Sequence, residues 1–109
     1  KIKIDVQNLG VDYFTFSAHK FHGPKGIGGL FVKNKAPFQN LIHGGNQMGG
    51  KRGGSVFTNG MLAMGTALKI ANENLDFINN EIKRLRNKLA KAILKIEDTK
   101  VYIDEKYRL

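Results

Sequence analysis

The most informative part of this chain is residues 12–32, which read DYFTFSAHKFHGPKGIGGLFV. The beginning of this stretch is rich in aromatic side chains, and its end combines two glycines with large apolar residues. Both ends therefore predict short strands, near 12–17 and 27–33. The Gly-Pro-Lys-Gly run at 23–26 predicts a turn between them, because proline fixes φ and glycine permits positive φ. The paired glycines of the second strand indicate that another group packs close to its backbone.

Reactive side chains stand just before this turn. Lys20 lies between two histidines and shortly after Ser17. A lysine amine is a nucleophile only when it is deprotonated, which apolar or cationic neighbours favour, and it then suits bond formation with a carbonyl compound. Ser17 and His19 can donate hydrogen bonds to an anion. From the residues alone, the alternative is a surface lysine beside a hydrogen-bonded histidine.

A glycine-rich segment follows at residues 36–60 and is too polar to form a core, so it is predicted to be a loop. Its part from Gly49 to Ser55 combines backbone amides, positive charge and a hydroxyl group. This combination is typical of loops that bind phosphate. A flexible linker is the alternative, because the strand and helix of a P-loop consensus are absent from the pattern.

Apolar periodicity predicts two helices, near residues 58–74 and 76–98, and a polar turn of helix from Asp5 to Leu9. Thr58 or Asn59 is expected to cap the first long helix and Asp76 the second. The second helix carries an apolar stripe at spacings of three and four, formed by Ile78, Ile82, Leu85, Leu89, Ala92, Ile93 and Ile96. A helix packed on the rest of a protein explains this stripe better than a coiled coil of fewer than four heptads. Val101 to Ile103 are expected to begin a further strand.

Composition narrows the function classes. The 109 residues allow at most one small domain, and the lack of cysteine excludes disulfides, cysteine-based zinc sites and a thiol nucleophile within the chain. No metal site is expected, and no apolar run is long enough to cross a membrane. The absence of cysteine fits a reducing, cytoplasmic location. The net charge of +9 leaves a nucleic-acid-binding module as an alternative, but the basic residues are scattered and no base-stacking platform accompanies them.

Two strands and two long helices leave a sheet face and a helix stripe without partners, so the chain is predicted to be one part of a larger fold. The SAHKFHGPKGIGGLFV segment at 17–32, preceded by LGVD, resembles the cofactor-lysine segment of cysteine desulfurases. These enzymes belong to the class V aminotransferase family. The GGNQ run at 44–47, the RGGS run at 52–55 and the positions of both long helices extend the resemblance along almost the whole chain.

The resemblance implies an α/β fold in which this chain is a fragment of the large domain of a fold-type I pyridoxal phosphate-dependent transferase. The sheet of the complete large domain is expected to be mostly parallel. Residues 1–98 correspond to the C-terminal part of that domain, including the linking helix, and residues 99–109 to the start of a truncated small domain.

Site residues follow from the same resemblance. Lys20 corresponds to the lysine that binds pyridoxal 5'-phosphate covalently and then carries the proton at the substrate Cα. Ser17 and His19 correspond to phosphate-binding residues. Ser55 stands where the family usually has a threonine that reaches the phosphate from the neighbouring subunit of a homodimer. Arg52 and Gly54 belong to the family's Arg-Ser-Gly-Thr motif and are expected in the loop or at the substrate.

The sequence departs from the family pattern in its loop. Met48 replaces an acidic residue, Gly53 the serine of the motif, and Phe57 a common proline. These changes are expected to loosen the loop. The catalytic cysteine, the aspartate for the pyridine nitrogen, the ring-stacking histidine and the carboxylate-binding arginine of the family are expected outside these residues.

The function implied is cysteine desulfurase activity of the complete protein. L-Cysteine would become L-alanine, and its sulfur would pass as an enzyme persulfide to a sulfur-acceptor or iron–sulfur scaffold protein for iron–sulfur cluster or thiocofactor assembly. Neither nucleic acid nor a membrane is an expected partner. Selenocysteine lyase or another class V enzyme is the alternative within the family, and a truncated reading frame without catalytic role is a further one. The isolated chain is expected to be inactive and marginally folded.

Overall fold

The computed structural model describes residues 2–108. The elements in chain order are α1 (Val6–Leu9), β1 (Tyr13–Ser17), a first 3₁₀ helix (Ala18–Phe21), β2 (Gly28–Val32), α2 (Gln47–Gly50), α3 (Thr58–Glu73), α4 (Leu75–Ile93) and a second 3₁₀ helix (Glu105–Tyr107). The chain divides into two compact units, Ile4–Ala71 and a second one that contains residues 72–108 with residues 2 and 3. None of the helices in the described range has the length and apolar character needed to cross a membrane.

The two predicted strands form an antiparallel hairpin, with Tyr13 opposite Val32 and Ser17 opposite Gly28. Alternate residues of β1 face the same side, so Phe14 and Phe16 are half-buried while Tyr13 is exposed. This pair is the only sheet in residues 2–108. The predicted strands are therefore confirmed, and the parallel strands expected of the complete large domain are not among the described residues.

The glycines of β2 are explained by Phe16. The ring of Phe16 lies across its cross-strand partner Gly29, where an added Cβ would come within 2.3 Å of the ring carbon Cζ. At Gly28 an added Cβ would lie 2.5 Å from the carbonyl oxygen of Phe16. Phe16 also stands 6.4 Å from Phe14 and 6.4 Å from Phe21, measured between ring centroids. The close packing predicted at these glycines is thus confirmed, and an aromatic side chain is the group that requires it.

The short helix predicted at Asp5–Leu9 is present as α1. Asp5 caps it, since its Oδ1 accepts hydrogen bonds from the backbone amides of Gln7 at 3.0 Å and Asn8 at 3.2 Å. Gly10 then ends the helix with a left-handed φ of 66°.

Helix α3 begins beside the hairpin. The carbonyl of Phe57 accepts the first helical hydrogen bond, from the amide of Met61, so Thr58 and Asn59 lie in the first turn instead of preceding the helix as expected. Gly60 is buried, and an added Cβ there would lie 2.4 Å from the Phe57 ring and 3.0 Å from Cδ1 of Ile27. Glycine at this position lets the start of α3 approach the residue that precedes β2.

Helix α4 differs from its prediction at both ends. Asn74 is its N-cap residue and Asp76 lies in the first turn, so the expected cap by Asp76 is wrong. The helix ends at Ile93 instead of residue 98, because backbone hydrogen bonds change to a shorter spacing after this residue. The Thr99 hydroxyl donates to the carbonyls of Ile93 and Ile96, both at 2.8 Å, and competes with continuation of the helix. Asp98 takes a left-handed φ of 61°, which the helix cannot accommodate.

The strand expected at Val101–Ile103 is absent, since these residues are irregular and lead into the second 3₁₀ helix. Asp104 caps that helix by accepting from the amide of Lys106 at 3.2 Å. Arg86 of α4 holds the tail, because its guanidinium donates to the carbonyl of Arg108 at 2.9 Å and to Glu105 at 3.3 Å. The tail is therefore held on α4 by side-chain hydrogen bonds instead of in a ladder.

Ala18 is the only buried apolar side chain that the structure shows in residues 2–108. Large apolar residues of α4 remain exposed, including Leu89 at 62% and Ile82 at 53%. The apolar stripe predicted for the second long helix is therefore present up to Ile93 but lies open, and Ile96 falls beyond the end of the helix.

Candidate functional site

The reactive segment is organised around Ala18. Its amide donates to the carbonyl of Ile27 at 3.0 Å, and its own carbonyl accepts from the amide of Gly23 at 2.9 Å. These bonds fasten the 3₁₀ helix Ala18–Phe21 to both sides of the turn. Ala18, whose methyl side chain is unreactive, is buried. Its neighbours are more accessible, since Ser17 is half-buried and His19 and Lys20 are exposed. Burial of Ala18 thus fixes the backbone from which the polar groups extend.

The turn after Lys20 is sterically demanding. His22 has a left-handed φ of 66° and reverses the chain direction. An added Cβ at Gly23 would lie 2.9 Å from Cβ of Ala18 and 3.0 Å from its carbonyl oxygen. Contacts this short exclude a side chain at residue 23 unless the backbone moves. Glycine at residue 23 is therefore needed for the close return of the chain to Ala18.

The polar side chains of this segment are not engaged by other residues in the described range 2–108. Within residues 2–108, the structure shows no hydrogen bond or ion pair from the side chains of Ser17, His19 or Lys20. Ser17 directly precedes the 3₁₀ helix, yet its hydroxyl does not cap it. A hydroxyl, an imidazole and an amine are thus held close together in sequence on a fixed turn, each available to an outside group.

This donor set fits a phosphorylated aldehyde. Hydroxyl and imidazole N–H groups donate to phosphate oxygens, and a primary amine is the group that adds to an aldehyde carbon. Because none of these groups is used in holding the hairpin together, binding would not cost the fold any of its hydrogen bonds. Pyridoxal 5'-phosphate is the cofactor of this chemical type that the sequence predicted.

The other predicted site residues lie on the glycine-rich loop. Arg52, Gly54 and Ser55 are all exposed. No hydrogen bond or ion pair among residues 2–108 joins Arg52 or Ser55 to the Lys20 segment. The structure therefore presents two separate groups of candidate site residues within the unit Ile4–Ala71.

The loop itself is closed at its base by Gly53. This glycine is buried, its amide donates to the carbonyl of Ile42 at 2.9 Å, and an added Cβ would lie 2.7 Å from the carbonyl oxygen of His43. The expectation that glycine in place of the family's serine loosens the loop is therefore wrong. A serine side chain at this position would push apart the two segments of the loop that meet at His43 and Gly53.

A second closure comes from Asn40, which the sequence analysis did not single out. Its side-chain amide Nδ2 donates to the carbonyl of Gly50 at 2.5 Å. Three successive residues at this point, Met48, Gly49 and Gly50, have left-handed φ values of 52°, 64° and 78°. No sequence motif marks Asn40, because its partner lies ten residues away in a loop.

The predicted family is found when the chain is compared with known proteins. The family model described as aminotransferase class-V matches residues 1–108. The chain is 44% identical over 92 residues to cysteine desulfurase IscS of Clostridium botulinum, covering 84% of this chain and 23% of that protein. It is 41% identical over 111 residues to cysteine desulfurase IscS of Methylobacillus flagellatus, covering 100% of this chain and 27% of that protein. The chain thus spans about a quarter of the length of these curated relatives.

A solved structure agrees with these relatives. The chain matches a NifS-like protein with a TM-score of 0.82 at 40% identity, over 87% of this chain and 26% of that one. The predicted fold, a part of the large domain of a fold-type I transferase, is confirmed by this likeness. With the family model matching residues 1–108, the chain belongs to the aminotransferase class-V family.

Proposed function

We propose that this chain is the lysine-bearing part of a pyridoxal phosphate-dependent cysteine desulfurase. The observation that carries the proposal is the group formed by Ser17, His19 and Lys20 on the turn fastened by Ala18. Their side chains have no hydrogen-bond or ion-pair partner among residues 2–108. The names of the similar proteins from Clostridium botulinum and Methylobacillus flagellatus support the choice of reaction.

The proposed domain organisation places residues 1–98 in the large domain and residues 99–109 at the start of the small domain. Two observations support a boundary near residue 98. Helix α4 has ended at Ile93, and Asp98 takes a left-handed conformation that redirects the chain. The exposed apolar face of α4 is the surface that the rest of such a domain would cover.

In the proposed mechanism, Ser17 and His19 donate hydrogen bonds to the cofactor phosphate, and Ser55 does so from the neighbouring protomer of a homodimer. Lys20 would hold the cofactor through its aldehyde carbon, and the Lys20 amine would move the proton at the substrate Cα. When bound, pyridoxal phosphate supplies an electron sink for the charge left at that carbon. Arg52 and Gly54 are proposed to contribute to the loop that borders the substrate.

The proposed reaction converts L-cysteine to L-alanine and transfers the sulfur to a cysteine of the enzyme. Because these 109 residues contain no cysteine, that residue must come from another part of the protein. From there the sulfur would pass to an acceptor or iron–sulfur scaffold protein. The isolated chain is accordingly proposed to be inactive, and the complete protein to act in the cytoplasm.

The proposal is tested in the complete protein with Lys20→Ala and Lys20→Arg, assayed for alanine release from L-cysteine. Since a proton-transfer group contributes about 10²- to 10⁴-fold to rate, we expect losses in that range. Borohydride reduction followed by peptide mass spectrometry should place the cofactor on Lys20 in the unsubstituted protein. The matched control is Lys35→Arg, which changes an exposed lysine outside the turn. Full activity of Lys20→Ala, or a cofactor attached to another lysine, would contradict the proposal.

Selenocysteine lyase is the second candidate within the family, and it is separated by comparing kcat/KM for L-selenocysteine and L-cysteine. The features that favour nucleic-acid binding are the net charge of +9 and the basic residues Lys51 and Arg52 near the glycines. A protein that binds DNA or RNA in a strongly salt-dependent manner and releases no alanine would replace the desulfurase proposal.

A further inference from the structure

The glycine-rich loop is closed by hydrogen bonds at two levels. At its base, the Gly53 amide donates to the Ile42 carbonyl at 2.9 Å. Further along, Asn40 Nδ2 donates to the Gly50 carbonyl at 2.5 Å, and both residues are partly buried. The first bond joins backbone to backbone, whereas the second depends on one side chain. Asn40 is therefore the point at which a substitution can open the loop without altering its glycines.

The Gly50 carbonyl stands in an unusual stretch of backbone. Met48, Gly49 and Gly50 all have left-handed φ values, and Met48 pays a steric cost because it carries a Cβ. A left-handed stretch of this kind persists only when contacts with the surrounding structure outweigh the local preference of the backbone for other φ values. The side-chain amide of Asn40 makes such a contact, because it donates a hydrogen bond to the Gly50 carbonyl at the end of the stretch.

The segment that precedes Asn40 is itself anchored to the hairpin. The Tyr13 hydroxyl of β1 donates to the carbonyl of Pro37, and the Lys33 amide donates to the carbonyl of Asp12 at 2.8 Å. Asn40 thus follows closely on a segment fixed to the strand that leads into Ser17 and Lys20. The amide connects that anchored segment to the loop that carries Arg52 and Ser55.

We propose that Asn40 is a positioning residue, which holds the loop of residues 44–55 so that Ser55 meets an anionic ligand, and Arg52 borders the substrate, in a fixed arrangement. The inference rests on the proposed function for the identity of that ligand, the phosphate of pyridoxal phosphate. Loss of the Asn40 bond leaves both side chains present and the Lys20 turn intact, but lets the loop sample more conformations. Ligand affinity then falls, because the loop must be ordered on binding.

The experiment uses the complete protein with Asn40→Asp and Asn40→Ala. Asn40→Asp keeps the shape of the side chain, removes the donor and sets a carboxylate against the Gly50 carbonyl. The matched control is Gln39→Ala, an exposed neighbour without a hydrogen bond among residues 2–108. Amide hydrogen exchange is followed in the cofactor-free protein, and cofactor half-saturation and the attachment of cofactor to Lys20 at saturating cofactor are measured afterwards.

We expect faster exchange at Gly53 in both Asn40 variants and not in the control. Loss of one hydrogen bond of this kind should raise the cofactor concentration needed for half-saturation by about three- to ten-fold. The attachment of cofactor to Lys20 at saturating cofactor should stay unchanged, because Lys20 stands on the separate hairpin turn. A general loss of structure would instead lower the attachment of cofactor to Lys20 as well.

Two failures are distinguishable. If the unsubstituted protein retains pyridoxal phosphate and the Asn40 variants match it in exchange or in half-saturation, the positioning role is refuted while the proposed function stands. If the unsubstituted protein retains no pyridoxal phosphate, the proposed function fails and this inference fails with it.

Discussion

The hairpin of residues 13–32 and the helix α4 are held by different kinds of interaction. In the hairpin, Ala18 is fully buried, and the Phe16 ring and carbonyl leave no room for side chains at Gly28 and Gly29. Helix α4 has a regular apolar stripe, yet its residues remain exposed, with Leu89 at 62%. The hairpin is defined by contacts that it makes within itself, whereas α4 has the pattern of a buried helix without the cover.

This difference shows which part of the chain is fixed by its own contacts and which part lacks a packing partner. The backbone that orients Ser17, His19 and Lys20 is set by hydrogen bonds between Ala18 and the residues on both sides of the turn. An amphipathic helix gains most of its stability from a partner surface. The hairpin that carries Lys20 and helix α4 are therefore expected to depend to different degrees on the rest of a complete protein. The following substitutions test this difference.

The largest effect is expected for Leu89→Ala in α4. If the apolar face is covered in the complete protein, this change costs about 2–5 kcal/mol of unfolding free energy, as for a buried leucine. In the 109-residue chain the same residue is exposed, and the change should fall within about 0.5 kcal/mol. Urea denaturation of both proteins measures the two values, with Lys88→Ala as a control on the same helix. Equal small values in both proteins would show that the face stays open.

A smaller loss is expected for Gly28→Ala in the hairpin. The added Cβ would meet the Phe16 carbonyl oxygen at 2.5 Å, and the strain should cost about 1–3 kcal/mol. The matched control is Gly65→Ala, which meets nothing within 4 Å inside α3 and should gain roughly 0.5–1 kcal/mol from better helix propensity. Denaturation midpoints report both changes. A neutral Gly28→Ala would mean that the strands separate easily at this point.

A local effect is expected for Arg86→Ala, because it removes the bonds from α4 to the Arg108 carbonyl and to Glu105. Opening of the tail should become easier by about 1 kcal/mol, as for loss of one net hydrogen bond. Amide exchange of residues 104–108 measures this opening. Arg84→Ala is the control, since Arg84 bonds to Glu81 on the same helix. If amide exchange of residues 104–108 changed equally in Arg86→Ala and Arg84→Ala, Arg86 would not be the residue that holds the tail.

The smallest effect concerns the ion pair of Glu81 and Arg84. The hydrogen bond from Arg84 lowers the pKa of Glu81 below its ordinary value of 4.5, and both side chains are largely exposed. Because the pKa is lower in the folded state, the stabilisation is present above the unfolded pKa and is lost as pH falls through the folded one. The thermal midpoint of Glu81→Gln should therefore lie below that of the unsubstituted protein at about pH 7 and approach it at about pH 3. A difference that persists at the acidic pH would contradict this assignment, and Glu97→Gln serves as the control.

Local patterns predicted much of this fold. The aromatic and glycine-rich ends of residues 12–32 indicated both strands, and Asp5 indicated α1, because each depends on neighbours in sequence. The end of α4 was wrong because the Thr99 hydroxyl binds the carbonyls of Ile93 and Ile96, a competition that apolar periodicity does not contain. Asp76 proved to lie inside α4 for a related reason, since several polar residues near a helix start can serve as the boundary.

The glycine-rich loop marks the limit for the candidate site. Its composition predicts a loop with phosphate-binding character that contains Arg52 and Ser55, and comparison with the family motif predicts that Gly53 loosens it. The buried position of Gly53 and the bond from Asn40 follow from chain segments that meet across the loop. Residue types alone do not reveal such meetings, because a glycine in an open linker and a glycine in a tight contact look the same in sequence.

The amino-acid sequence by itself determined which chemistry the turn can offer, the amphipathic character of α4 and the close packing at the glycines of the second strand. These properties depend on side-chain type and on spacing along the chain. Only the tertiary structure decided that Ala18 is the buried anchor, that Arg86 holds the tail and that Asn40 closes the loop. Hydrogen bonds and steric contacts between residues distant in sequence exist only once the chain has folded, because folding alone brings their atoms within range.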